Sequence, residues 1–486
     1  MTQERTTLLS AISAGEDRLA ISMPDGTLTY RQLRHAISVL ASDLTGEQPI
    51  AVWATAELAT AVAVFTALAT GTVIVPLNPK SGERELAHVL NDARPCAIIA
   101  GSRTELPETL SSLRRISVDL DLDETREGSW PDDPPGTSAA LIMYTSGTTG
   151  PPKGVVLSAS AIRDNLQAVS EVWSWTANDH LVHALPLFHV HGLVLGLIGP
   201  MFVGGSVSHL GSFSIDGVAE ALGADGTMLF AVPTMYHRLA GALKGNHELT
   251  SALARTRLLV SGSGPLMKSD YQQIRDLCGQ QIVERYGMTE TLFITSTTPT
   301  DPRPGYVGLA LPTVEFRVVN DFLEDVPHDD ATIGSVLVRS TSLFECYLNQ
   351  PEATRDALDD DGWFSTGDLG VLARDGELRL VGRRSTDLVK SGGYRIGTGE
   401  IEQVLIEYPG VEEVAVAGVP DADLGQRLVA WVVPVDHAKL DPDDMIEYVA
   451  RILTPHKRPR EIRFLAHLPR NHMGKIQKHM LLHDRD

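Results

Sequence analysis

The chain has 486 residues, a length that predicts two or three domains rather than one core. Its formal net charge of −21 argues against nucleic acid and anionic membranes as partners, because both bind basic surfaces. No apolar run of about 18 residues is present, so no membrane span is expected, and the first residues lack the pattern of a secretory signal. The three cysteines, Cys96, Cys278 and Cys346, are too far apart to indicate a zinc site or a disulfide framework, and a reducing cytoplasm is the expected location.

Short apolar strands alternate with helices along most of the chain. Residues 56–71 predict a buried helix that ends at Gly71, and residues 72–79 predict a buried strand that a proline stops. Further strands are predicted at 96–101, 139–144, 181–187, 227–233 and 256–263. This alternation predicts the α/β class, with parallel-rich sheets covered by helices in a large N-terminal domain. The acidic, proline-rich stretch 121–139 predicts a surface connection.

The pattern changes near residue 380. A strand, a helix followed by a strand, and a second helix are predicted over 376–383, 399–420 and 445–453. These elements predict a small α+β C-terminal domain of ordinary size. The boundary is expected between 382 and 387, which gives an N-terminal domain over 1–382 and a C-terminal domain over 383–486.

A loop rich in glycine and hydroxyl groups follows the strand predicted at 139–144. Its sequence, YTSGTTGPPKG over 144–154, cannot hold a helix or strand through its centre. Backbone N–H groups in such a turn can bind phosphate oxygens, and hydroxyls and a lysine add donors and charge. The residues concerned are Thr145, Ser146, Gly147, Thr148, Thr149, Gly150 and Lys153. The loop lacks GxxxxGK[ST] and is therefore not a Walker A motif.

This loop resembles the phosphate loop of the adenylate-forming enzymes, which include acyl-CoA synthetases, adenylation domains of peptide synthetases and luciferases. Other stretches resemble the family's motifs, in the family's order and over nearly the whole chain. They are SGSGPL (261–266), ERYGMTET (284–291), GWFSTGDLG (362–370), the glycine-rich stretch within 382–402, and PRNHMGKIQK (469–478). The resemblance implies that an acid is joined to AMP and then to coenzyme A, and that the small C-terminal domain is mobile.

The resemblance also implies roles for single residues. Tyr286 is expected to stack on adenine opposite Gly262, Thr289 to contact the α-phosphate, and Glu290 to hold Mg²⁺. Other positions expected at ATP or AMP are Ser263, Gly264, Pro265, Glu284, Arg285, Gly287 and Met288. The alternatives are that Tyr286 is a core aromatic residue and that Glu290 is a carboxylate at a helix start.

The second half of the chain carries further implied roles. Asp368 follows a strand-like WFST and is expected to bind the ribose together with Arg383. Lys475 resembles the family's catalytic lysine, whereas Lys478 is expected to be a surface residue. After adenylation the small domain would present a face to coenzyme A, formed by Ser391, Gly392, Gly393, Tyr394 and Arg395. The basic spot 456–460 either meets coenzyme A phosphates or is a solvated turn. The hinge is expected at Arg384 or Ser385.

Arg285 guides the choice of acid. Arginine is rarely buried without an anion, and a guanidinium near the acyl end of the substrate would pair with a second carboxylate. The motifs resemble those of malonyl-CoA synthetases, including those that accept methylmalonate, with His189, Ser261 and Met235 as further acid-binding residues. Alternatively, Arg285 faces away and pairs with Glu284 or another acid, and the histidines at 189 and 191 belong to the core or form simple pocket walls.

The expected substrates are therefore ATP, a small dicarboxylic acid and coenzyme A, with Mg²⁺ as the ion. Ligation of another short or aromatic monoacid, and loading of a carrier protein, are the alternative activities. A nucleotide-binding protein without catalysis is disfavoured by Lys475, Glu290 and Asp368. The sequence leaves the choice between monomer and homodimer open.

Overall fold

The computed structural model describes residues 7–44, 49–120, 128–132, 134–145, 152–384, 387–391, 394–470 and 476–482. The chain divides into two compact units. Unit 1 comprises Met1–Glu315 and Arg339–Gly362, and unit 2 comprises Phe316–Val338 and Trp363–Asp486. The boundary expected between 382 and 387 falls inside unit 2, and the division into domains over 1–382 and 383–486 stays a prediction.

The strands of the described residues are numbered in chain order. They are β1 Leu19–Met23, β2 Gly26–Thr29, β3 Ile50–Trp53, β4 Ile74–Leu77, β5 Ala97–Gly101, β6 Arg114–Val118, β7 Ala139–Thr145, β8 Lys153–Ser158, β9 His180–His183, β10 Ser206–His209, β11 Met228–Ala231, β12 Leu258–Ser261, β13 Ile282–Met288, β14 Leu292–Ser296, β15 Leu309–Ala310, β16 Val314–Val319, β17 Gly334–Ser340, β18 Cys346–Tyr347, β19 Phe364–Leu372, β20 Leu378–Arg383, β21 Leu388–Ser391, β22 Tyr394–Gly397, β23 Val411–Asp421, β24 Gly425–Pro434 and β25 Glu461–Phe464.

The α-helices of the described residues follow the same order. They are α1 Ser10–Ala14, α2 Tyr30–Ala41, α3 Leu58–Thr70, α4 Glu83–Ala93, α5 Ala159–Trp173, α6 Gly199–Val203, α7 Ile215–Ala224, α8 Pro233–Ala242, α9 His247–Arg255, α10 Lys268–Cys278, α11 Pro351–Ala357, α12 Thr398–Ile406, α13 Pro442–Ile452 and α14 Lys478–Leu481. A π-helix covers His191–Ile198, and short 3₁₀ turns cover Glu108–Leu110 and Pro455–Lys457. Within this part of the chain, none of the helices is both long and apolar enough to cross a membrane.

The larger sheet of unit 1 positions the candidate site. Its strand order in the described residues is β15-β14-β13-β12-β11-β9-β10-β1-β2. Strands β1, β9, β10, β11, β12 and β13 run parallel to one another. At one edge β2 pairs antiparallel with β1, and at the other β14 pairs antiparallel with β13 and with β15. The central strands β9, β11 and β12 are buried along their whole length, as parallel strands covered on both faces should be. Ser261 at the end of β12 pairs with Glu284 of β13, so both reach the ligand-binding edge of the sheet.

The second sheet of unit 1 carries the loop at 145–153. Its order is β18-β8-β7-β4-β3-β5-β6, with β3 to β7 parallel and β8 antiparallel to β7 and β18. The helix expected over 56–71 is α3, which is buried from Leu58 to Ala69. It ends where Gly71 adopts a φ of 72°, a conformation that glycine permits without strain.

The described residues of unit 2 form two sheets. The order β16-β17-β19-β20 forms one, and β22-β21-β24-β23 with β25 beside β24 forms the other. Helices α12 and α13 pack on the second sheet through Ile401, Met445 and Val449, which contact strand residues such as Val416. The mixed α/β class, the large parallel-rich unit and the α+β C-terminal region are confirmed.

Two strand predictions need correction in their extent. The strand expected over 181–187 ends at His183, because the N–H of Leu185 donates to Nδ1 of His183 rather than to a neighbouring strand. Asp368 does not follow a strand but lies inside β19. That strand continues past the glycine at 367, which has a φ of 73°, and through a bulge next to Leu369.

Candidate active site

Strand β13 directs neighbouring charged side chains to opposite faces, since side chains alternate along a strand. Oε1 of Glu284 accepts a hydrogen bond of 2.8 Å from the N–H of Gly305, and the carboxyl also accepts one from the N–H of Leu266. Burial raises the pKa of Glu284 to about 7. The alternative pairing of Glu284 with Arg285 is therefore not what the structure shows: the carboxyl holds two loops in place instead.

Arg285 is buried with only 5% of its surface exposed. Its Nε and Nη2 are buried without a hydrogen-bond partner among the described residues, and its guanidinium lies 4.7 Å from the centre of the Phe293 ring. Burial lowers the pKa of Arg285 to about 9, which still leaves the group charged at neutral pH. A buried cation without an anionic partner is costly, so this group is suited to an anionic ligand.

Gly262 makes room for that guanidinium. A Cβ atom at position 262 would lie 2.4 Å from Cζ of Arg285 and 2.5 Å from its Nε, so a larger residue cannot stand there without displacing the arginine. The glycine expected beside adenine thus has a second role that the sequence did not indicate.

Other unpartnered polar atoms lie at the same edge of the sheet. Oγ of Ser261 and Nε2 of His191 are buried without a partner in the described residues. Nδ1 of His191 lies 3.3 Å from Oγ of Ser263. Burial lowers the pKa of His191 well below its usual value, and the nearby positive charge of Arg285 lowers it further. Uncharged polar groups thus lie at the same edge of the sheet as one cation, an arrangement that suits a carboxylate or another oxyanion.

The sequence selects His189 as an acid-binding residue, and the alternative places both His189 and His191 in the core. The structure places His189 half-buried, with its ring 4.5 Å from that of Phe188. Met235 is half-buried and packs against the core around α8. His191, the first residue of the π-helix, is the buried histidine beside Arg285, and no motif in the sequence distinguishes it from His189.

Glu290 lies in the turn between β13 and β14 and is buried. Its Oε1 accepts a hydrogen bond of 2.8 Å from the hydroxyl of Tyr347, and its backbone oxygen accepts one of 2.8 Å from the N–H of Phe344. The alternative of a helix-start carboxylate does not apply, because a strand follows this turn. Tyr347 lies outside every quoted motif, and no pattern in the sequence indicates its role.

The same tyrosine lies beside the predicted phosphate loop. Nζ of Lys153 is 4.6 Å from the centre of the Tyr347 ring, a cation–π distance. Thr145 pairs with Lys153 across the β7–β8 hairpin, so these two residues close the base of the loop. Ser146, Gly147, Thr148, Thr149 and Gly150 lie outside the described residues. Lys153 and Glu290 therefore both contact the side chain of Tyr347.

The remaining predicted nucleotide residues of unit 1 lie on β13 or on the segment after β12. Tyr286 is buried on β13, Gly287 and Met288 end that strand, and Thr289 is half-buried in the following turn. Ser263, Gly264 and Pro265 are exposed. Ser263 has a φ of 72°, which is uncommon for a residue with a Cβ and is typical of functional loops.

In unit 2, Asp368 and Arg383 are partners across β19 and β20. Nε of Arg383 lies 2.8 Å from Oδ1 of Asp368, and Nη1 donates to the backbone oxygen of Thr366 at 3.0 Å. The carboxyl of Asp368 is therefore held in a fixed direction. Arg384, one of the two hinge candidates, donates its N–H to the oxygen of Gly367 at 2.9 Å. Ser385 lies outside the described residues.

The predicted face for coenzyme A lies on the hairpin of β21 and β22. Ser391 is buried and pairs with Tyr394, whose ring is exposed and stacks on His456 with 4.2 Å between centroids. Gly392, Gly393 and the side chain of Arg395 lie outside the described residues. His456 belongs to the basic spot at 456–460, so this spot and the hairpin adjoin.

The sequence predicts different roles for two lysines near the C-terminus, Lys475 and Lys478. Lys475 lies outside the described residues, and its catalytic role stays a prediction. The expectation that Lys478 is a surface residue is wrong: its side chain is 14% exposed and contacts two carboxylates, which compensate the cost of burying it.

Comparisons with known proteins agree with the predicted family. The model of the AMP-binding enzyme family matches residues 10–348, and that of the AMP-binding enzyme C-terminal domain matches residues 400–475. A mitochondrial malonate–CoA ligase from Mus musculus is 33% identical over 96% of this chain and 88% of its own length. A sulfoacetate–CoA ligase from Cupriavidus necator is 33% identical over 92% of this chain and 89% of its own.

A solved structure is also similar along nearly the full length. It is a malonyl-CoA ligase ternary product complex with methylmalonyl-CoA and AMP bound, 48% identical in sequence, with a TM-score of 0.74. The match covers 95% of this chain and 100% of the solved one. The chain therefore belongs to the AMP-binding enzyme family and is an AMP-forming acyl-CoA synthetase.

Proposed function

We propose that the protein joins a small dicarboxylic acid, malonate or methylmalonate, to coenzyme A through an acyl-adenylate. The observation that carries this proposal is the buried, unpartnered guanidinium of Arg285. The similar malonate–CoA ligase and the malonyl-CoA ligase complex act on acids of this class and support the choice.

The charge of the pocket discriminates between acids. A dicarboxylate places its second carboxylate against Arg285, where two parallel N–H···O bonds can form with Nε and Nη2. A monoacid leaves the cation buried without an anion, at a cost of several kcal/mol. Ser261 and His191 add uncharged donors for the remaining oxygen lone pairs. The preferred acid is therefore one with an anion at each end.

In the first half-reaction, a carboxylate oxygen attacks the α-phosphorus of ATP. The new O–P bond forms as the bond from the α-phosphorus to the pyrophosphate oxygen breaks, and pyrophosphate leaves. Lys153 and the amides of the 145–153 loop would bind the leaving phosphates, and Lys475 would stabilise the charge between carboxylate and α-phosphate. Asp368, held by Arg383, would accept hydrogen bonds from the ribose hydroxyls.

Magnesium fits the chemistry of Glu290. The ion prefers oxygen ligands and usually takes one or two carboxylates together with substrate phosphates. The buried carboxylate of Glu290, oriented by the hydroxyl of Tyr347, meets that requirement. A magnesium ion held there would supply positive charge against the triphosphate. The hydroxyl of Tyr347 would help to orient the carboxylate of Glu290.

In the second half-reaction, the thiolate of coenzyme A attacks the acyl carbon of the adenylate. The C–S bond forms as the C–O bond to AMP breaks, and AMP leaves with the electron pair. The hairpin from Ser391 to Tyr394 and the basic spot at 456–460 would contact coenzyme A, since both carry donors on an acidic protein. Carrier-protein loading remains the alternative for the acceptor.

A second acid class has a specific observation in its favour. The similar sulfoacetate–CoA ligase acts on an acid whose far end is a sulfonate. A sulfonate is an oxyanion that Arg285 could bind in the same way, so sulfoacetate is the second candidate substrate.

A panel of acids tests the proposal. Malonate, methylmalonate, sulfoacetate, acetate and benzoate are each offered with ATP, magnesium and coenzyme A, and pyrophosphate and thioester are both measured. We expect the dianionic acids to exceed the monoacids at least tenfold in kcat/KM, about 1.4 kcal/mol in transition-state binding. Preference for acetate or benzoate would reject the dicarboxylate, and pyrophosphate without thioester would favour a carrier protein as the acceptor.

A further inference from the structure

A half-buried cluster in unit 2 holds a single lysine between two acids. Nζ of Lys478 lies 2.5 Å from Oδ1 of Asp387, 2.7 Å from Oε1 of Glu402 and 2.9 Å from Oγ1 of Thr398. All three donor positions of the ammonium are therefore used. Burial alone would lower the pKa of Lys478, but the two carboxylates outweigh it and raise the pKa, so the lysine is charged.

The acids of the cluster also hold backbone groups of distant segments. Oδ2 of Asp387 accepts from the N–H of Arg383 at 2.8 Å, at the end of β20, and the backbone oxygen of Asp387 accepts from the N–H of Thr398. Oε1 of Glu402 accepts from the N–H of Val416 at 2.6 Å. One cation thus ties together β20, the start of α12 and β23.

The lysine stands at the base of the segment that carries Lys475. The N–H of Gln477 donates to the oxygen of Pro469 at 2.7 Å, and Arg470 pairs with Ile476 as an antiparallel bridge. These contacts join the residues on either side of 471–475, and Lys478 follows directly after Gln477. At the other side of the cluster, Asp387 is three positions beyond Arg384, one of the two hinge candidates.

We propose that Lys478 is a positioning residue for adenylation: its ammonium, bound by Asp387, Glu402 and Thr398, fixes the base of the Lys475 segment to the chain that follows the hinge. The proposal rests on the proposed function, because it assigns adenylation to Lys475. Lys478 itself touches no substrate. Its loss should therefore impair the half-reaction that needs Lys475 more than the one that does not.

The test compares both half-reactions in matched variants. Lys478→Met leaves two half-buried carboxylates without their cation, so Lys478→Met/Glu402→Gln is made beside it to preserve folding. Lys478→Arg restores the cation, and Arg427→Met removes an ion pair with Glu461 in the same unit. Adenylation is followed by pyrophosphate release, and the second step by thioester formation from preformed methylmalonyl-adenylate and coenzyme A.

We expect adenylation by the double variant to fall about 100-fold, as a displacement of about 1 Å can cause, with thioester formation nearly unchanged. Lys478→Arg should recover much of the loss, and Arg427→Met should behave as the parent. Equal loss in both half-reactions, or no loss in either, would overturn the proposal.

Hydrogen exchange gives a readout that does not depend on catalysis. Amides over 387–391 and 476–482 should exchange faster in the double variant than in the parent, and those of β11 and β12 should be unchanged. Unchanged exchange in the first two segments would also overturn the proposal. If the parent protein adenylates no acid, the proposed function fails. The hydrogen-exchange rates of these segments then decide by themselves whether Lys478 holds them in place.

Discussion

The hydroxyl of Tyr347 donates a hydrogen bond of 2.8 Å to Oε1 of Glu290, and the ring of the same tyrosine lies 4.6 Å from Nζ of Lys153. One side chain thus contacts both the predicted magnesium ligand and the predicted phosphate-binding lysine. Because the two contacts use different parts of the residue, they can be removed separately.

Tyr347→Phe should weaken the apparent affinity for magnesium in adenylation. The substitution removes the hydrogen bond to Glu290 and keeps the ring beside Lys153. A hydrogen bond to a charged group contributes about 1.5–3 kcal/mol, so we expect the magnesium concentration for half-maximal pyrophosphate release to rise about tenfold or more. Tyr347→Leu should in addition raise the KM for ATP. An unchanged magnesium titration in Tyr347→Phe would show that the tyrosine does not orient the metal ligand.

Arg285→Met should reverse the preference among acids. The substitution keeps most of the volume and removes the charge, so a second carboxylate would be buried without a partner. We expect kcat/KM for malonate to fall by about 100-fold or more, since removing one partner of a buried charge pair costs about 2–5 kcal/mol. The values for acetate should stay level or rise. The measurement is initial-rate thioester formation with both acids, and an equal fall for both would remove the reason for choosing a dicarboxylate.

Glu284→Gln should flatten the pH dependence of stability on the acidic side of neutrality. Because burial raises the pKa of Glu284 from its ordinary 4.5 to about 7, the folded protein binds more protons than the unfolded one between these values. Stability from this group is therefore greatest below pH 4.5 and falls as the pH rises to about 7. Glutamine keeps an oxygen acceptor for the N–H of Gly305. Because it does not ionise, it does not lose stability as the pH rises.

The check is the difference in unfolding free energy between Glu284→Gln and the parent at pH 5, 6, 7 and 8. It should shift in favour of the variant by about 1–3 kcal/mol between pH 5 and pH 7 and then level off. A difference that is constant over this range would mean that Glu284 does not titrate there.

Asp368→Asn should weaken the use of ATP. The substitution removes the ion pair with Arg383 and the charge of the expected ribose acceptor. We expect the KM for ATP to rise about tenfold or more, since hydrogen bonds to charged groups contribute about 1.5–3 kcal/mol. Asp330→Asn is the matched control, because Asp330 pairs with Arg379 in the same unit at 3.2 Å and has no predicted ligand. Similar KM values in both variants would indicate only a structural role for Asp368.

Local pattern is enough to predict much of the fold. The helix α3 and the strands β4, β5, β11 and β12 follow from runs of apolar residues bounded by glycine or proline. The same reasoning places Asp368 after the strand-like WFST, whereas the strand continues through Asp368, past a glycine with a φ of 73° at position 367 and an adjacent bulge.

The side-chain environments are harder to predict than the strands. The sequence selects Arg285 as an acid-binding residue, because arginine is rarely buried without an anion. The structure shows that its Nε and Nη2 are buried without a hydrogen-bond partner in the described residues, and the role toward an acid stays a prediction. The roles of Tyr347 and Lys478 escape prediction for the same physical reason: their partners come from segments far away in sequence. Glu290 lies 57 positions from Tyr347, and Asp387 lies 91 positions from Lys478. Neither separation leaves a periodic or local signal.

Because Gly262 lies against Arg285, the residue types that are possible at position 262 depend on the residue at position 285. A methyl group at 262 would occupy the space of the guanidinium carbon, 2.4 Å away, so the glycine is compatible with the arginine and a bulkier residue is not. Under the proposed function, retargeting this ligase to monocarboxylic acids calls for paired replacement: a shorter residue at 285 opens volume, and a side chain at 262 can then fill it. Libraries that vary either codon alone would miss those combinations.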